Sequence, residues 1–120
     1  MKHLKKGRKL GRVKNQREAL LKTLLGSLIM EEKIETTEAK AKEIKGMIDK
    51  IINKAKGVNA KDRKVAVIRA LNNQIPLKAV RKITGEFLEK FSERSSGYTR
   101  IIKLSPRQSD SARMAIIEFV

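Results

Sequence analysis

The sequence contains no cysteine, no tryptophan, one tyrosine and one histidine. Without cysteine, neither a disulfide nor a thiolate metal site can form, and His3 alone cannot assemble an imidazole site, so no metal or cofactor is expected. Aromatic residues make up only 3% of the chain, too few to supply the bulky anchors of a helix lying on a membrane. No run approaches the roughly 18 apolar residues that span a bilayer, and the start lacks the hydrophobic stretch of a signal peptide. The expectation is a cytoplasmic chain with no membrane partner. Paired catalytic acids, a P-loop, a GxSxG elbow and an HExxH helix are all missing. Neither an enzyme nor a small-molecule substrate is therefore expected.

Acids are scarce as well. Against 13 Asp plus Glu stand 29 Lys plus Arg, a formal charge of +16 and a pI near 10.4. Such an imbalance weakens the compact state by self-repulsion and makes sense where a polyanion is the normal surroundings. Nucleic acid leads, because its phosphates are closely and regularly spaced and their neutralisation releases counterions. The opening segment MKHLKKGRKLGRVKNQR concentrates this charge, with eight Lys or Arg in seventeen residues and no acid before Glu18. Leu4, Leu10 and Val13 offer too little apolar surface to offset the entropy of ordering the backbone. A partner of opposite charge is expected to order it. Lys2, Lys5, Lys6, Arg8, Lys9, Arg12, Lys14 and Arg17 are the candidate phosphate contacts, with His3 an RNA-contacting or solvated side chain.

Residues 1–14 thus read as a basic arm and 15–120 as one globular domain. Asn15 and Glu18 have the spacing of a capping box, ahead of a leucine stripe that predicts a helix over about 16–31. Gly26 interrupts that stripe and implies close packing against a neighbour. Around Ile34 and Thr36 the sequence reads as a short strand, and Thr37 is placed to cap the next helix. That helix, about 38–55, buries Ile44, Met47, Ile48, Ile51, Ile52 and Ala55, and Gly57 stops it. A third helix is expected over about 60–72, with Val65, Ile68 and Leu71 inward. Pro76 opens a fourth, in which Leu77, Val80, Ile83, Phe87, Leu88 and Phe91 form the buried face. The last 23 residues read as a β-hairpin with a longish loop. The fold class is α+β in two layers, order α-β-α-α-α-β-β, with helices on one face of a small three-stranded sheet.

A second basic cluster lies in RSSGYTRIIK. Tyr98 either caps the core or stacks on an unpaired base while Arg94, Arg100 and Lys103 clamp the backbone. Lys40 and Arg107 complete the candidate RNA contacts. Met30, Met47 and Met114 sit at core spacing, and Glu18 with Lys22 and Glu38 with Lys42 are spaced as helical ion pairs. Charge alone leaves a sequence-neutral DNA-binding protein as a rival; it would bind duplex DNA and rRNA comparably.

Several motifs in one order are more specific. MKHxxKGRKLGR, the RxALLxxLxxSL spacing from Arg17 to Leu28, IETT with AKAKE over 34–43, and GYTRIIKL with MAIIE near the end resemble the bacterial large-subunit ribosomal protein seventeen family along essentially the whole chain. The resemblance implies a two-layer fold with a mixed small sheet, binding to large-subunit rRNA, and a position near the exit of the nascent-peptide tunnel beside other ribosomal proteins. It implies no catalysis. The family's basic start maps onto Lys2, His3, Lys6, Arg8, Lys9, Arg12 and Arg17, its Thr pair onto Thr36 and Thr37, and its GYTR element onto Gly97, Tyr98, Thr99 and Arg100. Departures fall at Ser96, where a glycine is common, at Ser109-Asp110, where a Gly-Asp turn is usual, and at Arg113, where a proline is usual. On this reading Thr36 or Thr37, with the free amides at the start of the second helix, is expected to bind a phosphate.

Overall fold

A computed structural model describes residues 10, 11, 13–57 and 64–120. Its elements are α1 (Lys14–Glu31), β1 (Lys33–Thr37), α2 (Glu38–Lys56), α3 (Lys64–Asn72), α4 (Leu77–Ile83), a 3-10 helix (Glu86–Phe91), β2 (Thr99–Lys103) and β3 (Met114–Phe119). The order matches the sequence reading. The proposed start of the third helix, at 60–63, lies outside the described residues.

Helix α1 begins two residues before the expected start, with an extended Val13 as its N-cap and no side-chain cap. The Asn15/Glu18 capping box does not form, because Asn15 already lies within the first turn. Leu21, Leu25, Leu28 and Ile29 are buried along one face. At the far end Glu32 adopts a left-handed φ of 67° and its N–H donates to the Leu28 carbonyl. That conformation is costly for a side chain with a Cβ. The Glu32 carboxylate is tied to Lys82 at 3.2 Å and Lys90 at 2.9 Å, which fixes the turn against α4 and the 3-10 helix.

Gly26 is buried, and a Cβ built on it would lie 2.7 Å from the Pro76 ring. The glycine is therefore the close approach that the interrupted stripe implied. Pro76 is the N-cap of α4 rather than its first residue. Leu77 is 54% exposed, contrary to expectation, because the buried stripe of this short helix runs through Ala79, Val80 and Ile83. The helix does not continue to Phe91. It ends at Thr84, and a 3-10 helix after Gly85 re-aims Phe87, Leu88 and Phe91 into the core. In α3 only Leu71 is fully buried, and Val65, about 120° round the helix from it, is 62% exposed.

Helix α2 follows its pattern closely: Thr37 Oγ1 accepts from the Lys40 N–H at 3.4 Å, and Ile44, Ile48, Ile51, Ile52 and Ala55 are buried. Gly57 ends it in right-handed geometry, without the left-handed turn usual at a glycine stop. Met47 is half-buried and Met114 likewise, whereas Met30 is 45% exposed.

The sheet order is β1-β3-β2, and both pairings are antiparallel. It is not mixed, because β3 enters between β1 and β2. Those two strands run in the same direction but never pair. Ile34, Ile117 and Ile101 align across the three strands on the face toward the helices; in the next row Lys33, Glu118 and Arg100 align on the other. All four aromatic residues of the chain join at one junction. Phe91 contacts Phe87, Tyr98 and Phe119 with ring centroids 5.2 to 5.3 Å apart, fastening the 3-10 helix to the sheet.

Candidate nucleic-acid interface

The basic side chains divide into two populations. On the sheet side three are matched by acids, with Arg100 Nε 2.8 Å from Glu118, Lys103 3.6 Å from Glu38 and Arg107 3.7 Å from Asp110, while Lys33 and Arg113 are exposed and make no ion pair with a described acid. On the outer surfaces of the helices, Lys14, Lys45, Lys50, Lys78 and Arg81 are exposed and make no ion pair with any described acid. Lys42 and Lys82 are exceptions, paired with Glu38 and Glu32. The expected Glu18–Lys22 pair does not form among the described residues.

These pairings act on the acids too. Hydrogen bonds from Lys90 and then Lys82 hold the Glu32 carboxyl below the ordinary carboxylate value, and Lys42 does the same to Glu38. Glu38 thus stays anionic in the first turn of α2, where it complements the helix dipole.

This bears on the phosphate expected at Thr36 and Thr37. Thr36 is 7% exposed, and the Thr37 hydroxyl is already committed as the α2 cap. With the Glu38 carboxylate beside them, the helix start carries its own anion, and a phosphate would meet repulsion there. Lys40, half-buried, donates its backbone amide to that same cap.

Tyr98 resolves toward the core. Its ring is wholly buried, leaving no face on which a base could stack. The hydroxyl donates to Asn53 Oδ1 at 2.5 Å, with the Arg94 carbonyl at 3.0 Å, and accepts from Lys56 Nζ at 2.8 Å. One turn back along α2, Asp49 accepts from the Gly97 and Tyr98 N–H groups, each at 3.3 Å. Gly97 has a φ of +64°, which a side chain would strain. Asp49, Asn53 and Lys56 thus form a polar stripe at i, i+4 and i+7 that moors this loop. The GYTR element shapes the fold, and of its basic neighbours Arg94 alone keeps its side chain exposed without an ion pair to a described acid.

Lys14 is exposed and Arg17 half-buried in the first turn of α1. The remaining arm candidates, Lys2, His3, Lys5, Lys6, Arg8, Lys9 and Arg12, lie outside the described residues. Leu10 packs against the core, so the arm joins the domain at a fixed point. Next to that point, where Asn15 lines its end, a groove of about 670 Å³ opens between α1, α2 and the α3–α4 turn. The sequence reading singled out none of Lys22, Lys50, Asn73 and Gln74 on its rim as contacts. The one signal was the width of the α1 leucine stripe, broader than a single neighbouring helix covers.

Comparison with known proteins bears on all of this. The family model for ribosomal protein L17 matches residues 20–120. The large ribosomal subunit protein bL17 of Staphylococcus epidermidis is 44% identical over 119 residues, covering 94% of this chain and 98% of that protein. That of Shouchella clausii is 44% identical over 116 residues, covering 93% and 97%. The Rubrobacter xylanophilus protein is 44% identical over 120 residues, covering 100% and 96%.

Proposed function

The chain belongs to the ribosomal protein L17 family and is a structural constituent of the large ribosomal subunit, not an enzyme; from that premise we propose that rRNA holds it there through the basic start and the unpaired helical cations. The proposal includes a place near the exit of the nascent-peptide tunnel, beside other large-subunit proteins. The observation that supports the rRNA reading is the division of charge: exposed cations without acids repel one another and are stabilised by a polyanion. The arm residues Lys2 to Arg12, with Lys14 and Arg17, then bind phosphates. Arm ordering accompanies subunit assembly, so the chain helps to set the rRNA path as well as following it.

The test is a salt titration of binding to large-subunit rRNA. A chain lacking residues 1–14 loses seven basic residues, and at moderate salt its affinity should fall by about a hundredfold or more with a shallower salt slope. Its circular dichroism should remain that of the folded domain. Equal affinity and slope would overturn the arm's role, and equal affinity of the full chain for duplex DNA would overturn the rRNA reading. Position is tested by cross-linking within assembled subunits, where links to proteins at the tunnel exit are expected and links confined to other regions would refute that placement.

A further inference from the structure

We propose that the groove between α1, α2 and the α3–α4 turn is a seat for one unpaired nucleotide of RNA, its base laid on the groove floor. The inference rests on the rRNA reading and names a site for it. The floor is apolar: exposed Ala19 and half-buried Met47 supply its open surface, over the buried Leu21, Leu25 and Ile51. The rim is polar, and its groups are of three kinds. Asn15, Asn73 and Gln74 present exposed side-chain amides, each a donor and an acceptor, that bond to no other described residue. Lys22 on α1 and Lys50 on α2 line opposite walls. Glu18 is the one carboxylate.

Each kind answers a part of a nucleotide. A base has apolar faces that lie on aliphatic or thioether side chains, and an edge of donors and acceptors that amides can read. The ammonium groups suit the phosphates on either side. A volume of about 670 Å³ lies within the roughly 300 to 1,000 Å³ of small-ligand sites and admits one extruded nucleotide, not a duplex. The rim's net positive charge favours this occupant over an apolar peptide helix, which would leave amides and ammoniums unpaired. Glu18, an acceptor only, selects a base with an exocyclic amine. Adenine's amine offers it two N–H donors where uracil offers only its ring N–H, so adenine is favoured.

The position of the groove strengthens this. It opens at the first turn of α1, beside the exposed Lys14. Asn15, Glu18, Ala19 and Lys22 stand at i, i+3, i+4 and i+7 and therefore share one face of α1.

The experiment measures binding of the full chain to fluorescein-labelled single-stranded RNA hexamers, A6 and U6, and to a short RNA duplex, by anisotropy across a salt series. Two variants at exposed positions are compared with the parent: Asn73→Ala with Gln74→Ala, and Ala19→Phe, which fills the groove. The parent should bind A6 more tightly than U6. Both variants should lose about tenfold on A6 at an unchanged salt slope, with U6 and duplex binding retained. Thermal melting checks the fold, and if Ala19→Phe melts early the amide variant decides alone. Parent-like A6 binding by the folded variants, or no preference for A6 in the parent, overturns the seat while leaving the rRNA reading standing. A loss that comes with a shallower slope shows that phosphate was released and overturns the base contact. Failure of the parent to bind any RNA removes the rRNA reading and the seat together.

Discussion

Arg100, Lys103 and Arg107 on the sheet side each lie within 4 Å of a carboxylate, whereas Lys45, Lys78 and Arg81 on the helical side meet no described acid. The two groups carry the same charge on similar side chains, so composition cannot separate them. Their surroundings do. A cation beside an acid is largely neutralised before any ligand arrives, and displacing its partner offsets what a phosphate would contribute. An unmatched cation adds only repulsion to the free protein and becomes favourable when a polyanion binds. Counting Lys and Arg points to the class of partner, while the pattern of acids separates the cations already matched from those left open.

Substitutions should dissociate the two regions. The largest effect is expected at the aromatic junction, where Phe91→Ala removes three ring contacts and should cost about 3–5 kcal/mol in urea unfolding. The rRNA affinity of the fraction that remains folded should be unchanged. Gly26→Ala should follow, at about 1–3 kcal/mol, since the new methyl overlaps the Pro76 ring, a rigid neighbour. A neutral or stabilised variant would mean that α4 shifts freely away from α1.

Smaller effects are expected from the charges themselves. Lys78→Ala with Arg81→Ala should weaken rRNA binding by about tenfold and lower the salt slope by about 2, as two released phosphates require, with no loss in melting temperature. Arg100→Ala should change affinity by less than about twofold. The reverse ranking would erase the distinction between the faces.

The smallest concerns pH. Glu32 and Glu38 have folded pKa values below the ordinary 4.5. The stability each contributes is therefore fully present above that value and lost as pH falls through the folded pKa. Thermal melts between pH 6 and pH 3 should show the parent losing stability, and Glu32→Gln should flatten part of the decline. An unchanged acid limb would place the linkage elsewhere.

Local patterns in the sequence predicted what depends on neighbours along the chain. The isoleucines of α2 repeat with the helix, Thr37 precedes it as a cap, and the hairpin strands are rich in β-formers, so these elements stand where expected. Where the chain's own periodicity is broken by a tertiary contact, prediction failed. Phe87, Leu88 and Phe91 are buried as expected, but the apolar spacing from Leu77 to Phe91 runs on past Gly85, the local stop, and so hides the change to a 3-10 helix there. The burial of Tyr98 depends on Asn53 and Lys56, more than 40 residues away. The place of β3 between the other strands depends on pairing across most of the chain. At the interface, the ribosomal family was legible because its motifs recur in order. The neutralised state of Arg100 and Lys103 was not, because their acids lie on other elements.

The strand order has a consequence for synthesis. The middle strand of the sheet, β3, comes last among the described elements, and Val120 beyond it closes a bond to the Tyr98 carbonyl. While the polypeptide is being made, β1 leaves the ribosome with no strand to pair with, and the helices that follow have no finished sheet to cover. Final packing of the domain must await the synthesis of β3, which follows every other element. A premature stop just before Met114 would delete the strand that both others require, and the product would be a basic, unfinished chain.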